Sequence, residues 1–197
     1  MSTGLRIGVL GPMTATVDGR EVALGGPRQR AVLAVLMAAR GHLVTQDALI
    51  AQAWDERRAP SPATLHSYVA ALRKALEPGR EAGQTAGVLV REHIGYALRI
   101  SQDAVDAERF TVLAARGEEL LRGGDAERAA TVLGKALALW RGPPYAEFER
   151  HAFALVATRT ARGRPARRLR HDGSSTGPKE SPRRKVGGAN GIDDQSR

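Results

Sequence analysis

The segment Ser61-Pro62-Ala63-Thr64-Leu65-His66-Ser67-Tyr68-Val69-Ala70-Ala71-Leu72-Arg73-Lys74-Ala75-Leu76 decides the fold. It opens with a helix start: Ser caps free amides, and Pro at the first helical position gives up an amide that would have had no partner. Leu65, Val69, Leu72 and Leu76 then recur at intervals of 4, 3 and 4, one stripe of a 3.6-residue period, so one side of the helix is expected to be buried. At about 100° per residue, the side turned away carries Ala63, Ser67, Ala70, Ala71 and Lys74, with His66 and Arg73 on one flank and Thr64 on the other. The stripe needs partners, and the flanking chain supplies them.

Upstream, residues 5–10 and 13–17 are short and rich in branched side chains. Val17-Asp18-Gly19-Arg20 joins the second to residues 21–24 through Asp-Gly, whose tolerance of positive φ marks a two-residue hairpin. Gly25-Gly26-Pro27 ends this small antiparallel sheet. From Arg28 the period changes: Val32, Val35, Leu36 and Ala39 are spaced for a helix, and Leu33 and Met37 widen its apolar face until Gly41, so this helix is expected to be largely buried. Thr45 caps a second helix over residues 46–54, in which Leu49, Ile50, Ala53 and Trp54 share a face. A turn through Arg57-Arg58-Ala59-Pro60 leads into the deciding segment, the third helix. Downstream, residues 88–91 and 96–100 flank Glu92-His93-Ile94-Gly95 as a second hairpin.

Strands, three helices and a terminal hairpin are the order of an α+β winged helix-turn-helix, in which the third helix enters a DNA groove and the hairpin is the wing, although periodicity alone does not decide this. The ordered motifs Leu10-Gly11-Pro12, Val17-Asp18-Gly19-Arg20, Gly26-Pro27-Arg28-Gln29-Arg30-Ala31, Asp47-Ala48-Leu49-Ile50, Thr64-Leu65 with Ser67-Tyr68-Val69, Leu72-Arg73-Lys74-Ala75-Leu76 and Gly95-Tyr96 resemble the DNA-binding domain of the Streptomyces antibiotic regulatory protein (SARP) family. That domain is related to the response-regulator winged helices. The resemblance covers residues 5–100 and implies a DNA-binding unit over residues 1–101. The strands begin at residue 5, so no phosphoacceptor domain is expected before them.

A second, all-α unit is expected over residues 102–160. Phe110, Leu113, Ala114, Gly117, Leu120 and Leu121 form one stripe, and Gly123-Gly124 breaks it. A further helix over residues 125–140 groups Ala129, Leu133, Ala136, Leu137 and Trp140, with small residues where two helices approach closely. Gly124-Asp125, Ala129, Lys135-Ala136-Leu137 and Leu139 are similar to half of a tetratricopeptide repeat. Ala138-Leu139-Trp140-Arg141-Gly142 resembles the start of the bacterial transcriptional activator domain that follows the winged helix in the same family, where it is associated with self-association and activation. A third helix is expected from Ala146 to about Arg159, with Phe148, Phe153, Leu155 and Val156 partly exposed for want of a following repeat. Residues 161–197 carry 10 basic against 4 acidic side chains without apolar period and read as a disordered basic tail. The activator domain is therefore expected to be truncated. A reading-frame change near Thr158 would account for the Arg, Gly, Pro and Ser that follow, and would leave a continuing helical repeat in another frame of the gene.

For the third helix, the resemblance implies Ser67, Ala71, His66 and Lys74 at base edges, with Arg73 and Thr64 reaching phosphates. A solvated helix face is the alternative. Members of the family commonly carry a basic residue near position 71. Alanine can meet a thymine methyl but cannot pair with guanine, so sequence preference is expected to differ. In the wing, Arg91 and His93 are expected near the sugar-phosphate backbone or minor groove, Tyr96 inward, and Glu92 repelled by phosphate. Arg57 and Arg58 are open to DNA, to an RNA polymerase surface, or to solvent as an ordinary charged turn. The tail can add nonspecific attraction to DNA through counterion release or have no role.

Other classes are excluded by what the chain lacks. It has no cysteine, which removes thiolate metal sites, disulfides and thiol nucleophiles, and a cytoplasmic chain is the simplest reading. Its longest apolar run, residues 31–39, is less than half of the ~20 residues that span a bilayer. Gly173-Ser174-Ser175-Thr176-Gly177 matches a nucleophile-elbow pattern without the strand and helix that would strain the serine outward. Histidines 42, 66, 93, 151 and 171 have no metal-ligand spacing. No enzyme, metal or cofactor is expected. The net charge of +9 lies mostly in the tail, leaving +3 on the first 160 residues. The expected function is a sequence-specific, DNA-binding transcriptional regulator acting on promoter repeats as an activator, self-associating on double-stranded DNA and contacting RNA polymerase. The alternative is a truncated competitor or a helical protein-interaction module.

Overall fold

The computed structural model describes residues 4–54, 60–81 and 83–155. The chain opens with β1 (Arg6–Gly8), β2 (Thr14–Val17) and β3 (Arg20–Glu21), an antiparallel sheet in that order with Arg6 opposite Thr16 and Val17 opposite Arg20. Its second turn has Asp18 at φ 49° and Gly19 at φ 79°, the double positive φ expected of Asp-Gly. Helix α1 (Pro27–Ala38) follows and buries every side chain from Ala31 to Met37, as its continuous apolar face requires.

Two residues, Val44–Thr45, then form β4, which the sequence reading missed. Thr45 caps α2 (Gln46–Ala53) as expected, accepting the Ala48 amide at 3.2 Å, while its backbone pairs with Gly95. A two-residue strand has no period to detect. Helix α3 (Pro62–Leu76) is capped by Ser61 and buries Leu65, Val69, Leu72 and Leu76. Each such side chain contributes roughly 1.5–3 kcal/mol against about 1 kcal/mol for a cap, so packing holds this helix. A stack of Trp54 on Tyr68, 5.8 Å between ring centres and 5° from parallel, ties the end of α2 to α3. The wing is β5 (Leu89–Glu92) and β6 (Gly95–Leu98), and the second sheet runs β4-β6-β5. A Cβ on Gly95 would collide with the Val44 carbonyl oxygen and lie 2.8 Å from the Thr45 Cα, so only glycine lets β6 approach β4 this closely.

Helices α4 (Asp106–Arg122) and α5 (Ala126–Leu137) form an antiparallel hairpin. They meet through small residues: a Cβ on Gly117 would sit 2.5 Å from the Leu133 side chain. Leu121 and Leu137, expected inside, are 52% and 66% exposed, because the contact is narrow and buries only Ala114, Gly117, Ala129 and Ala136 in the two helices besides Asp106. Helix α5 ends three residues before the expected Trp140. No continuous third helix starts at Ala146; a single 3-10 turn spans Ala146–Phe148 and helical structure resumes at residue 152. Phe148 and Phe153 are buried, contrary to expectation, because with Tyr145 they join the core of the first unit. Val156 and the basic tail lie outside the described residues.

The two units are joined by polar contacts that are buried at Asp106 and more open to solvent elsewhere. The Asp106 carboxylate accepts the amides of Val9 at 2.8 Å and Leu10 at 3.0 Å. Arg141 donates from its amide to Leu10 O at 2.8 Å and from Nη1 to Pro12 O at 2.9 Å, and Tyr145 donates its amide to Val9 O at 2.8 Å. Glu147 accepts from the Met13 amide at 3.0 Å and from Arg30 Nε at 2.6 Å. Residues 9–13 are thus held along their length by the helical unit.

Candidate nucleic-acid interface

Because Leu65, Val69, Leu72 and Leu76 anchor α3 from one side, Ala63, Ser67, Ala70, Ala71 and Lys74 stand exposed on the other, as the period requires. The small side chains among them leave the helix axis able to approach a flat or grooved partner closely. Lys74 lies in the last turn, where a cation also suits the helix dipole. Ser67 donates its hydroxyl to Ala63 O at 3.0 Å, which leaves its oxygen lone pairs facing outward as an acceptor. Thr64 shares a hydrogen bond with the Ser61 hydroxyl at 3.0 Å, so it helps to set the helix start.

The His66–Arg73 flank faces the wing. His66 lies edge-on to Tyr96 with ring centres 6.5 Å apart, yet it remains exposed. Arg73, expected to reach a phosphate, donates Nε to Leu89 O at 2.8 Å and places its guanidinium carbon 6.0 Å from the centre of the Tyr96 ring. It is half-buried and braces α3 against β5. Burial is the largest influence on its pKa and lowers it; the charges of Arg80 and Arg91 act in the same direction, while Tyr96 and Glu77 oppose. Tyr96 is buried as expected, and burial raises its phenol above the ordinary value against the pull of Arg91 and Arg73.

On the wing itself Arg91 and His93 are exposed, on the strand and in the turn respectively. Glu92, expected to repel phosphate, is paired with Arg99 at 2.7 Å, which offsets its charge locally. Two features escaped the sequence reading. Ile94 at the wing tip is 54% exposed. Arg80, beyond the end of α3, donates Nη1 to Gln84 O at 2.8 Å while its Nε is buried without a hydrogen-bond partner among the described residues. The Pro78-Gly79 break hid Arg80 from any helical period, and only the fold brings its charge to bear on Arg73. Arg57 and Arg58 lie outside the described residues. Among the described residues no group of three His, Cys, Asp or Glu side chains could hold a metal ion, and no helix is long and apolar enough to cross a membrane.

Residues 19–98 match the family described as "Transcriptional regulatory protein, C terminal", and residues 105–171 match "Bacterial transcriptional activator domain". The second match runs past the boundary expected at residue 160. The chain is 39% identical over 158 residues to regulatory protein AfsR of Streptomyces coelicolor, covering 76% of this chain and 15% of AfsR. It is 40% identical over 140 residues to transcriptional regulatory protein EmbR of Mycobacterium tuberculosis, covering 71% of this chain and 36% of EmbR. The structure of Mycobacterium tuberculosis EmbR in complex with low affinity phosphopeptide superposes with a TM-score of 0.70 at 37% identity, over 84% of this chain and 44% of that one. The chain thus spans less than half the length of these relatives.

Proposed function

This chain belongs to the SARP family of transcriptional regulators, and from that premise we propose that it binds promoter DNA in a sequence-specific way through α3 and the β5-β6 wing and regulates transcription there. The observation that carries the reading is the exposed row Ala63, Ser67, Ala70, Ala71 and Lys74, backed by a fully buried stripe and flanked by Arg91 and His93. Small side chains let the helix enter a major groove, Lys74 meets a base edge or a phosphate, and the wing cations meet the sugar-phosphate backbone. Arg73 acts by holding the wing beside the helix. Arg57 and Arg58 add cations just before α3. Two copies sit side by side on promoter repeats, and the helical unit reaches RNA polymerase, as in an activator of cytoplasmic transcription. A second reading is favoured by Val112 and Leu137, 69% and 66% exposed on the helical hairpin: a competitor that occupies sites while this surface serves another protein.

Binding-site selection on the purified chain followed by gel shifts tests the first reading. Lys74→Ala is expected to lower affinity and, if Lys74 meets a phosphate, to reduce the slope of log K against log salt by about 0.9. If it meets a base edge, the selected sequence changes instead. A folded variant with unchanged affinity, slope and preference removes Lys74 from the interface. Failure of the wild-type chain to select any duplex at low salt overturns the proposal. A promoter-reporter assay then separates activator from competitor.

A further inference from the structure

A cleft of about 480 Å³ opens where the two units meet, between the end of α1, the chain leaving β6, the first turns of α4 and the segment around Tyr145. Protein interiors are packed to crystal density, so a cleft of this volume leaves apolar surface that packing has not covered. The volume lies within the ~300–1,000 Å³ of small-molecule sites, which favour junctions between units.

The chemistry of the walls narrows the occupant. Met37, Ile100, Val105 and Phe153 make them apolar. The charged residues in the lining are Arg40 and Glu108, and they are paired with each other. A ligand with a net charge would have to compete for one of them with its partner, which is costly where the Glu108 side chain is only 17% exposed. A neutral head that both donates and accepts hydrogen bonds can lie against the pair without separating it. Tyr145 in the same wall is also neutral: burial, with the Asp106 carboxylate second, pushes its phenol well up from the ordinary value. We propose that this cleft binds a neutral amphipathic small molecule, with an apolar body against α1 and α4 and a polar head at the Arg40–Glu108 pair. Such a ligand touches the winged helix and the helical unit at once, so its binding stabilises their junction. This inference does not depend on DNA binding.

The test titrates the full chain with the neutral probe N-phenyl-1-naphthylamine. One saturable fluorescence increase is expected, near one probe per chain, with a rise in Tm because the ligand binds only the folded state. Ala38→Trp and Thr111→Trp fill the cleft from opposite walls, and either, shown to be folded by circular dichroism, is expected to weaken binding at least tenfold. Leu137→Asp, on the exposed hairpin face, leaves it unchanged. The sulfonated counterpart of the probe, scored on the signal that the Trp variants abolish, binds at least tenfold more weakly. Absence of saturable binding, persistence of binding in both folded Trp variants, or loss of it in Leu137→Asp overturns the proposal. Equal binding of the sulfonate at this site overturns the neutral class of ligand.

Discussion

Glu147 accepts from Arg30 Nε at 2.6 Å and from the Met13 amide at 3.0 Å, across 117 and 134 residues of sequence. The hydrogen bond from Arg30 holds its carboxyl below the ordinary carboxylate value, against a smaller opposing effect of burial, and Arg30 is raised in turn. A carboxyl with a folded pKa below its unfolded one, about 4.3 for Glu, stabilises the fold fully above the unfolded value. That contribution is lost as pH falls through the folded value. Urea unfolding at stepped pH is therefore expected to show the wild type losing stability on acidification more steeply than Glu147→Gln. Parallel curves would remove this pair from the acid response. The pair is partly solvated, so its contribution is modest, and its main role is to orient the turn that follows Tyr145. Neither partner could be matched to the other from the sequence, since no local period links positions so far apart. The same holds for Asp106 with the amides of Val9 and Leu10, and for Arg73, whose exposure at 100° per residue gives no hint that Leu89 O will claim its Nε.

At the scale of elements, β4 and β6 meet only because Gly95 has no side chain. Gly95→Ala is expected to cost about 1–3 kcal/mol, the usual range for forcing extra volume into a packed contact. It should also lower DNA affinity by displacing the wing, while far-ultraviolet circular dichroism still reports the helices. Full retention of both stability and affinity would show that the strands part without consequence. Helices α1 and α3 and the two hairpins were legible in the sequence because each carries its own signal: a stripe, a cap, Asp-Gly, or two short apolar runs about a turn. Strand β4 is too short for any. For α4 and α5 the periodicity identifies a face but not how much of it a neighbour covers. Leu121 and Leu137 are the result. In the candidate interface, the exposed row of α3 and the wing cations were legible, whereas the bracing by Arg73 and the nearby charge of Arg80 depend on the β5-β6 hairpin folding back onto α3.

At the scale of the molecule, the boundary drawn at residue 101 separates elements without separating cores, because Tyr145, Phe148 and Phe153 are buried with Val9, Val35 and Leu36. Scanning calorimetry is accordingly expected to give one transition over the described region, with calorimetric and van't Hoff enthalpies in agreement. Two resolved transitions would mean that the units fold independently. The grip of Asp106, Arg141, Tyr145 and Glu147 on residues 9–13 has a further consequence for a regulator seated on DNA. On the proposed reading, in which the winged helix seats on DNA and the helical unit reaches RNA polymerase, a joint held this way points the helical hairpin in one fixed direction around the duplex axis. Inserting about 5 base pairs between operator and promoter should swing it to the far side and silence a reporter, and about 10 should bring it round again. Output that declines smoothly with distance, without this alternation, would mean that the joint gives way.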